Sequence, residues 1–119
     1  MAKADRMERL DERRLELESE YRAILIAALR ITAAGKWGLF GHTKDRAARA
    51  AFGPTLAELE ETAEAIDVIR ARFGMEPFEL HPEFMGSRGP VGPNAPGEPK
   101  QALLWLDRLD DGVEAGDTP

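Results

Sequence analysis

The chain has 119 residues, 43% hydrophobic and 32% charged, the proportions of a soluble globular protein with room for one core rather than two. Lys and Arg number 16 against 22 Asp and Glu, a net charge of −6, which argues against a general nucleic-acid binder because neutralising phosphates needs a cationic face. There is no cysteine, so disulfides, thiolate metal sites and thiol nucleophiles are excluded.

The charge is unevenly spread. Residues 21–53 carry 6 basic groups and 1 acidic, whereas residues 54–86 carry 2 basic and 8 acidic. Folding the two blocks together would partly neutralise both. Met1–Leu10 is charged where a secretory signal would turn apolar. The longest apolar run, Ala23–Leu29, lies between Arg22 and Arg30 and is far short of the roughly 20 residues that span a bilayer. A cytoplasmic protein with no membrane association is expected.

Residues 4 to about 34 read as one long helix. Leu10, Leu17, Ile24 and Ile31 recur every seven positions, with Arg14, Tyr21 and Ala28 in the second seam position, a coiled-coil-like packing stripe. Leu25 and Leu29 widen it. At 1.5 Å per residue the helix would be about 46 Å long. Gly35 is placed to stop it. The apolar, Gly-punctuated segment from Lys36 to His42 follows. Thr43 then caps a short connecting helix from Lys44 to about Phe52.

Thr55-Leu56-Ala57-Glu58 has the form of a capping box opening a second long helix. Its stripe is Leu56, Leu59, Ala63, Ile66 and Phe73, with Ile69 alongside and Arg70 as the polar seam position. Gly74 is the expected stop. Pro77 and Pro82 restrict residues 75–86 to a turn or two around Phe78–Leu80 and Glu83–Met85. In the Gly/Pro-rich stretch 87–99, Pro90, Pro93, Pro96 and Pro99 recur every third position, which would align their rings along one edge of a polyproline II helix. This ladder either packs within the chain or docks in a partner's aromatic groove. Pro99 can open a last short helix, through Leu103, Leu104, Trp105 and Leu106 to about Leu109. The expected organisation is a single helical domain over 1–109 and an acidic disordered tail over 110–119. The fold class is all-α: a long antiparallel helical hairpin with a short connecting helix, a Pro-rich crossover and a short C-terminal helix.

The second helix, about 29 Å long, would cover only Leu17 to Ile31 of the first. Met7 and Leu10 then lack an obvious intrachain partner. Either the last helix returns to cover them, or two copies of the first helix pair. The continued heptad favours a homodimer with Met7, Leu10 and Leu17 as its seam.

Candidate sites are few. Trp37, Phe40, His42, Lys44, Arg46 and Arg49 put aromatic rings beside cations, close to a helix start with free N–H groups, as a ligand or partner surface would require. No phosphate-loop motif accompanies them. His42 and His81 have no metal-binding spacing, and ordinary surface or capping roles fit them better. Ser19 and Ser87 lack a nucleophile's context. No cofactor, metal or catalytic residue is expected. The reading is a small non-enzymatic helical interaction or regulatory protein, forming a homodimer and engaging a protein partner. The alternative is an anion or nucleotide binder using residues 36–49.

Overall fold

The computed structural model describes residues 2–36, 38–40, 52–88 and 97–117. Among them the backbone forms four α-helices and no strand: α1, Ala2–Ala33; α2, Gly53–Arg72; α3, Leu80–Gly86; and α4, Glu98–Asp117. The chain is all-α, and α1 and α2 pack closely as the hairpin expected from their periodicity. The connecting helix expected over 44–52 lies outside the described residues apart from Phe52. So do Pro90, Pro93 and Pro96 of the ladder, while Pro99 stands in the first turn of α4.

Both long helices end on glycine for the same reason. Gly35 and Gly74 have φ of 81° and 65°, in the left-handed region that side chains disfavour. At the first stop Lys36 N–H reaches Ile31 O at 3.2 Å and Gly35 N–H reaches Thr32 O at 3.0 Å. At the second, Met75 N–H reaches Arg70 O at 2.9 Å and Gly74 N–H reaches Ala71 O at 3.1 Å. Each is a Schellman motif that satisfies carbonyls the helix leaves open.

The start of α2 differs from the capping box. Phe52 is the N-cap, Pro54 occupies the first helical turn, and no side chain caps the end. Proline's fixed φ and missing N–H suit that position, so the helix begins two residues before Thr55. At its far end α4 continues to Asp117 rather than stopping near Leu109, there being no proline after Pro99 until Pro119.

The core is built on α1, which packs along both α2 and α4. Leu17, Tyr21, Leu25, Ala28 and Leu29 of α1 are buried against Leu59, Ala63, Ile66 and Ile69 of α2, Phe84 of α3, and Ala102, Trp105 and Leu109 of α4. Thr32 joins them, its hydroxyl donating to Ala28 O at 3.1 Å. The heptad row does not stay in this core: Ile24 is only partly buried, and neither it nor Ile31 is fully covered. A straight helix drifts about 20° per heptad against a strict seven-residue repeat. Tyr21, Leu25, Leu29 and Thr32 therefore take over the buried face, and α1 packs as a globular helix rather than a coiled-coil strand.

Phe73 and Met75, beyond the end of α2, line one groove with Met7, Glu8 and Asp11, and Leu10 and Phe73 are partly buried against the core. Leu17 is buried within one chain, so it is part of the monomer core and not of a seam between copies.

Candidate interaction surfaces

At the closed end of the hairpin, the residues after α1 are tied down by polar contacts. Phe40 N–H donates to Glu98 Oε1 at 2.8 Å, and Arg88 Nε donates to Leu39 O at 2.7 Å. The Arg88 guanidinium lies 5.5 Å over the Phe52 ring. Burial lowers its pKa, and Glu98 opposes that shift. Phe40 is fully buried, its ring 6.0 Å from Phe84, whose ring is in turn 5.9 Å from Trp105. Of the residues expected to form a ligand surface, Phe40 is therefore a core residue: an aromatic ring beside glycines was needed to plug the hairpin end. Trp37, His42, Lys44, Arg46 and Arg49 lie outside the described residues.

The middle of the molecule holds two polar clusters. Arg14 and Arg70, the polar seam positions of the two long helices, share one carboxylate. Glu18 Oε2 accepts from Arg14 Nη1 at 3.0 Å and from Arg70 Nε at 2.9 Å. Asp11 also holds Arg14, at 2.9 Å, and Glu76 O accepts from Arg70 at 2.8 Å. Desolvation works against the Arg14 charge, but the hydrogen bonds from Asp11 and Glu18 outweigh it and its pKa is raised.

The second cluster is Tyr21 with His81. The phenol oxygen and His81 Nδ1 are 2.7 Å apart, with the rings edge to face at 5.6 Å. Phe78 meets Tyr21 at 5.0 Å, and its N–H donates to Asp67 at 2.7 Å. Burial pushes the Tyr21 phenol well above its ordinary range, so it stays a donor, and a neutral Nδ1 accepts. His81 is thus a partner of the core rather than a surface or capping group. Desolvation lowers its pKa from 6.5, against the pull of Glu60, Asp67 and Glu64. The unfolded chain then binds the proton first, so this contribution to stability is present above about pH 6.5 and is lost as pH falls toward the folded-state value. Urea titrations should show the unfolding free energy falling between about pH 7 and 5, and falling less in His81→Gln. Parallel losses in both proteins would contradict the assignment.

The open end of the hairpin is apolar and exposed. Met7 and Met75 are each 37% exposed, and Leu10 and Phe73 are half-buried. Met7 separates two grooves. One, of about 630 Å³, is lined by Ala4, Met7, Phe73 and Met75 and rimmed by Glu8, Asp11 and Glu12. The other, of about 480 Å³, is lined by Met7 and Leu10 between Arg6 and Arg72. Of the expected dimer seam, Met7 and Leu10 thus remain accessible, while Leu17 does not.

A second apolar surface lies on the outside of α4. Leu103 and Leu104 are 57% and 56% exposed. With Leu106, Lys100 and Asp107 they line a groove of about 560 Å³. The open end was marked in the sequence by Met7 and Leu10, but this second surface was not. The Leu103-Leu104-Trp105-Leu106 run looks uniformly buried, and only the pairing of Ala102, Trp105 and Leu109 with the core reveals which leucines are left outside.

No described helix is long and apolar enough to cross a membrane. Compared with known protein families, curated proteins and solved structures, the chain matches none.

Proposed function

We propose that the protein is a small helical interaction module, working by binding a partner polypeptide rather than by transforming a substrate. The observation that supports this reading is the acidic groove at the open end of the hairpin. Its floor of Met7, Phe73 and Met75 is apolar, and its rim carries Glu8, Asp11 and Glu12. Two thioethers give an adaptable, polarisable floor that accepts side chains of varied shape. A groove between two helix ends suits an amphipathic helix laid apolar face down. Asp11 is held by Arg14, so Glu8 and Glu12 are the carboxylates that favour a partner whose flanking residues are Lys or Arg. The anion-binding alternative depends on residues outside the described set, and no observation favours it.

The test is a fluorescence-anisotropy titration with a labelled Leu/Lys amphipathic peptide, and with its Leu/Glu counterpart. Saturable, salt-weakened binding of the basic peptide is expected, because exposed charges are screened within about 10 Å at 0.1 M salt. Met7→Asp and the pair Glu8→Lys with Glu12→Lys should each weaken it at least about tenfold, equivalent to about 1.4 kcal/mol. These side chains are exposed, so thermal melts should be unchanged. Equal binding of the two peptides, or indifference to Met7→Asp, would overturn the reading.

A further inference from the structure

Helix α4 has two apolar faces, and the structure accounts for one. Ala102, Trp105 and Leu109, at i, i+3 and i+7, are buried against the core, and Leu106 is half-buried beside them. The opposite face presents Leu103 and Leu104, both more than half exposed. Two adjacent large leucines left in water on a helix that already has a full inward stripe need a reason.

The flanking charges supply it. Lys100 and Asp107 stand on the same outward face, seven positions apart, with the leucines between them. Seven residues make almost two turns and about 10.5 Å of helix. The midpoint of the pair falls between Leu103 and Leu104. A two-fold axis through that midpoint, perpendicular to the helix, places each Lys100 opposite the other copy's Asp107. The surface is therefore complementary to itself in one orientation only. Antiparallel pairing sets Lys100 against Asp107 twice, whereas parallel pairing sets lysine against lysine and aspartate against aspartate. Among the described residues, neither Lys100 nor Asp107 has an ion-pair partner within the chain. The neighbouring cation, Arg108, is already committed: it bonds Glu83 and lies 4.7 Å over the Trp105 ring.

We propose that a second copy of this chain docks on this face, joining α4 to α4 in an antiparallel homodimer with Leu103 and Leu104 at its centre and Lys100 of each copy facing Asp107 of the other. Such an isologous contact closes on itself and stops at two copies. The leucines provide the binding energy, since exposed ion pairs are worth little, and the charges fix the direction. One helix face is small against the 1,200–2,000 Å² of standard interfaces, so the association is weak and concentration-dependent. The seam is independent of the open-end groove, and the two surfaces can be occupied together.

Sedimentation equilibrium of the full chain, from micromolar to millimolar concentration at low salt, tests this. Leu103→Ser with Leu104→Ser should weaken dimerisation at least about tenfold, equivalent to about 1.4 kcal/mol, with an unchanged thermal melt. Lys100→Glu alone and Asp107→Lys alone should each weaken it, because each creates two like-charge contacts. The combination K100E with D107K should restore the wild-type constant, and peptide binding at the open end should survive all four changes. A protein monomeric throughout, a dimer indifferent to the leucines, or a double charge variant weaker than either single one would each overturn the proposal.

Discussion

Replacing Phe84 with Ala is expected to lower the unfolding free energy by about 3–5 kcal/mol, the range for truncating a buried aromatic. The position amplifies the usual cost. Phe84 is fully buried and its ring meets Phe40 on one side and Trp105 on the other. It therefore joins the segment after α1 to α4 through a helix of only seven residues. A helix that short has no stability of its own in water, so α3 keeps its place through its side chains: buried Phe84, with His81 on Tyr21 and Glu83 on Arg108. Against a total of about 5–15 kcal/mol for an ordinary domain, the variant loses a large share. Urea denaturation should show a lower midpoint with an unchanged slope. Met85→Ala, one position along and 38% exposed, is the control and should cost less than about 1 kcal/mol, as surface substitutions do. A Phe84→Ala loss as small as the control's would mean that the aromatic cluster is not the joint between these elements.

Glu18→Ala is expected to cost about 2 kcal/mol, in the range for charge-assisted hydrogen bonds whose donors lose their acceptor in partly buried surroundings. The side chains of Arg14, Glu18 and Arg70 are 11%, 19% and 18% exposed, so solvent screens them far less than a surface pair. Removing the carboxylate leaves two guanidiniums near each other on facing helices. Asp11 and Glu76 O still hold one each, which keeps the loss below the 3–5 kcal/mol of a fully buried pair. Glu18→Gln retains an acceptor oxygen and should cost less than Glu18→Ala. A second replacement, Arg70→Met in the Glu18→Ala background, should recover part of the loss by removing an unpaired charge. Additive losses in that double variant would show that the three groups act separately.

Much of the architecture was legible. Gly35 and Gly74 stop their helices where the pattern ends because only glycine takes the required φ without strain. The inward residues of α2 follow its period. What failed was register. Thr55 looked like a cap, but a proline one position earlier offered a competing start, and the helix took it. Leu17 was given to a partner seam because the heptad runs unbroken through it, although helix length had already placed it within reach of α2, and the chain buries it. The arginines at seam positions looked like flaws in the stripes. Each is satisfied by Glu18, and a single stripe cannot show that two flaws share one remedy. Tyr21 and His81 are 60 positions apart, beyond any local pattern. The reading of the last helix did not separate Leu103 and Leu104 from Trp105, because apolar residues on a short helix have no visible direction until the helix is docked.

The central place of α1 also has a consequence for the order in which the protein is made. This helix is synthesised first, yet its two covers come later, and α4 comes much later. At about 5–20 residues per second, roughly 4–15 s separate the emergence of Ala33 from that of Leu109. During that interval Leu17, Tyr21, Ala28 and their neighbours have α2 and then Phe78 and α3 to shield them, but not α4. A growing chain is therefore an open-sided hairpin with an exposed apolar flank, and its sealing waits on the segment made last among those that pack on it. Ribosome-bound chains from which α4 has not emerged should bind more of a hydrophobic probe than chains in which Leu109 has cleared the ribosome.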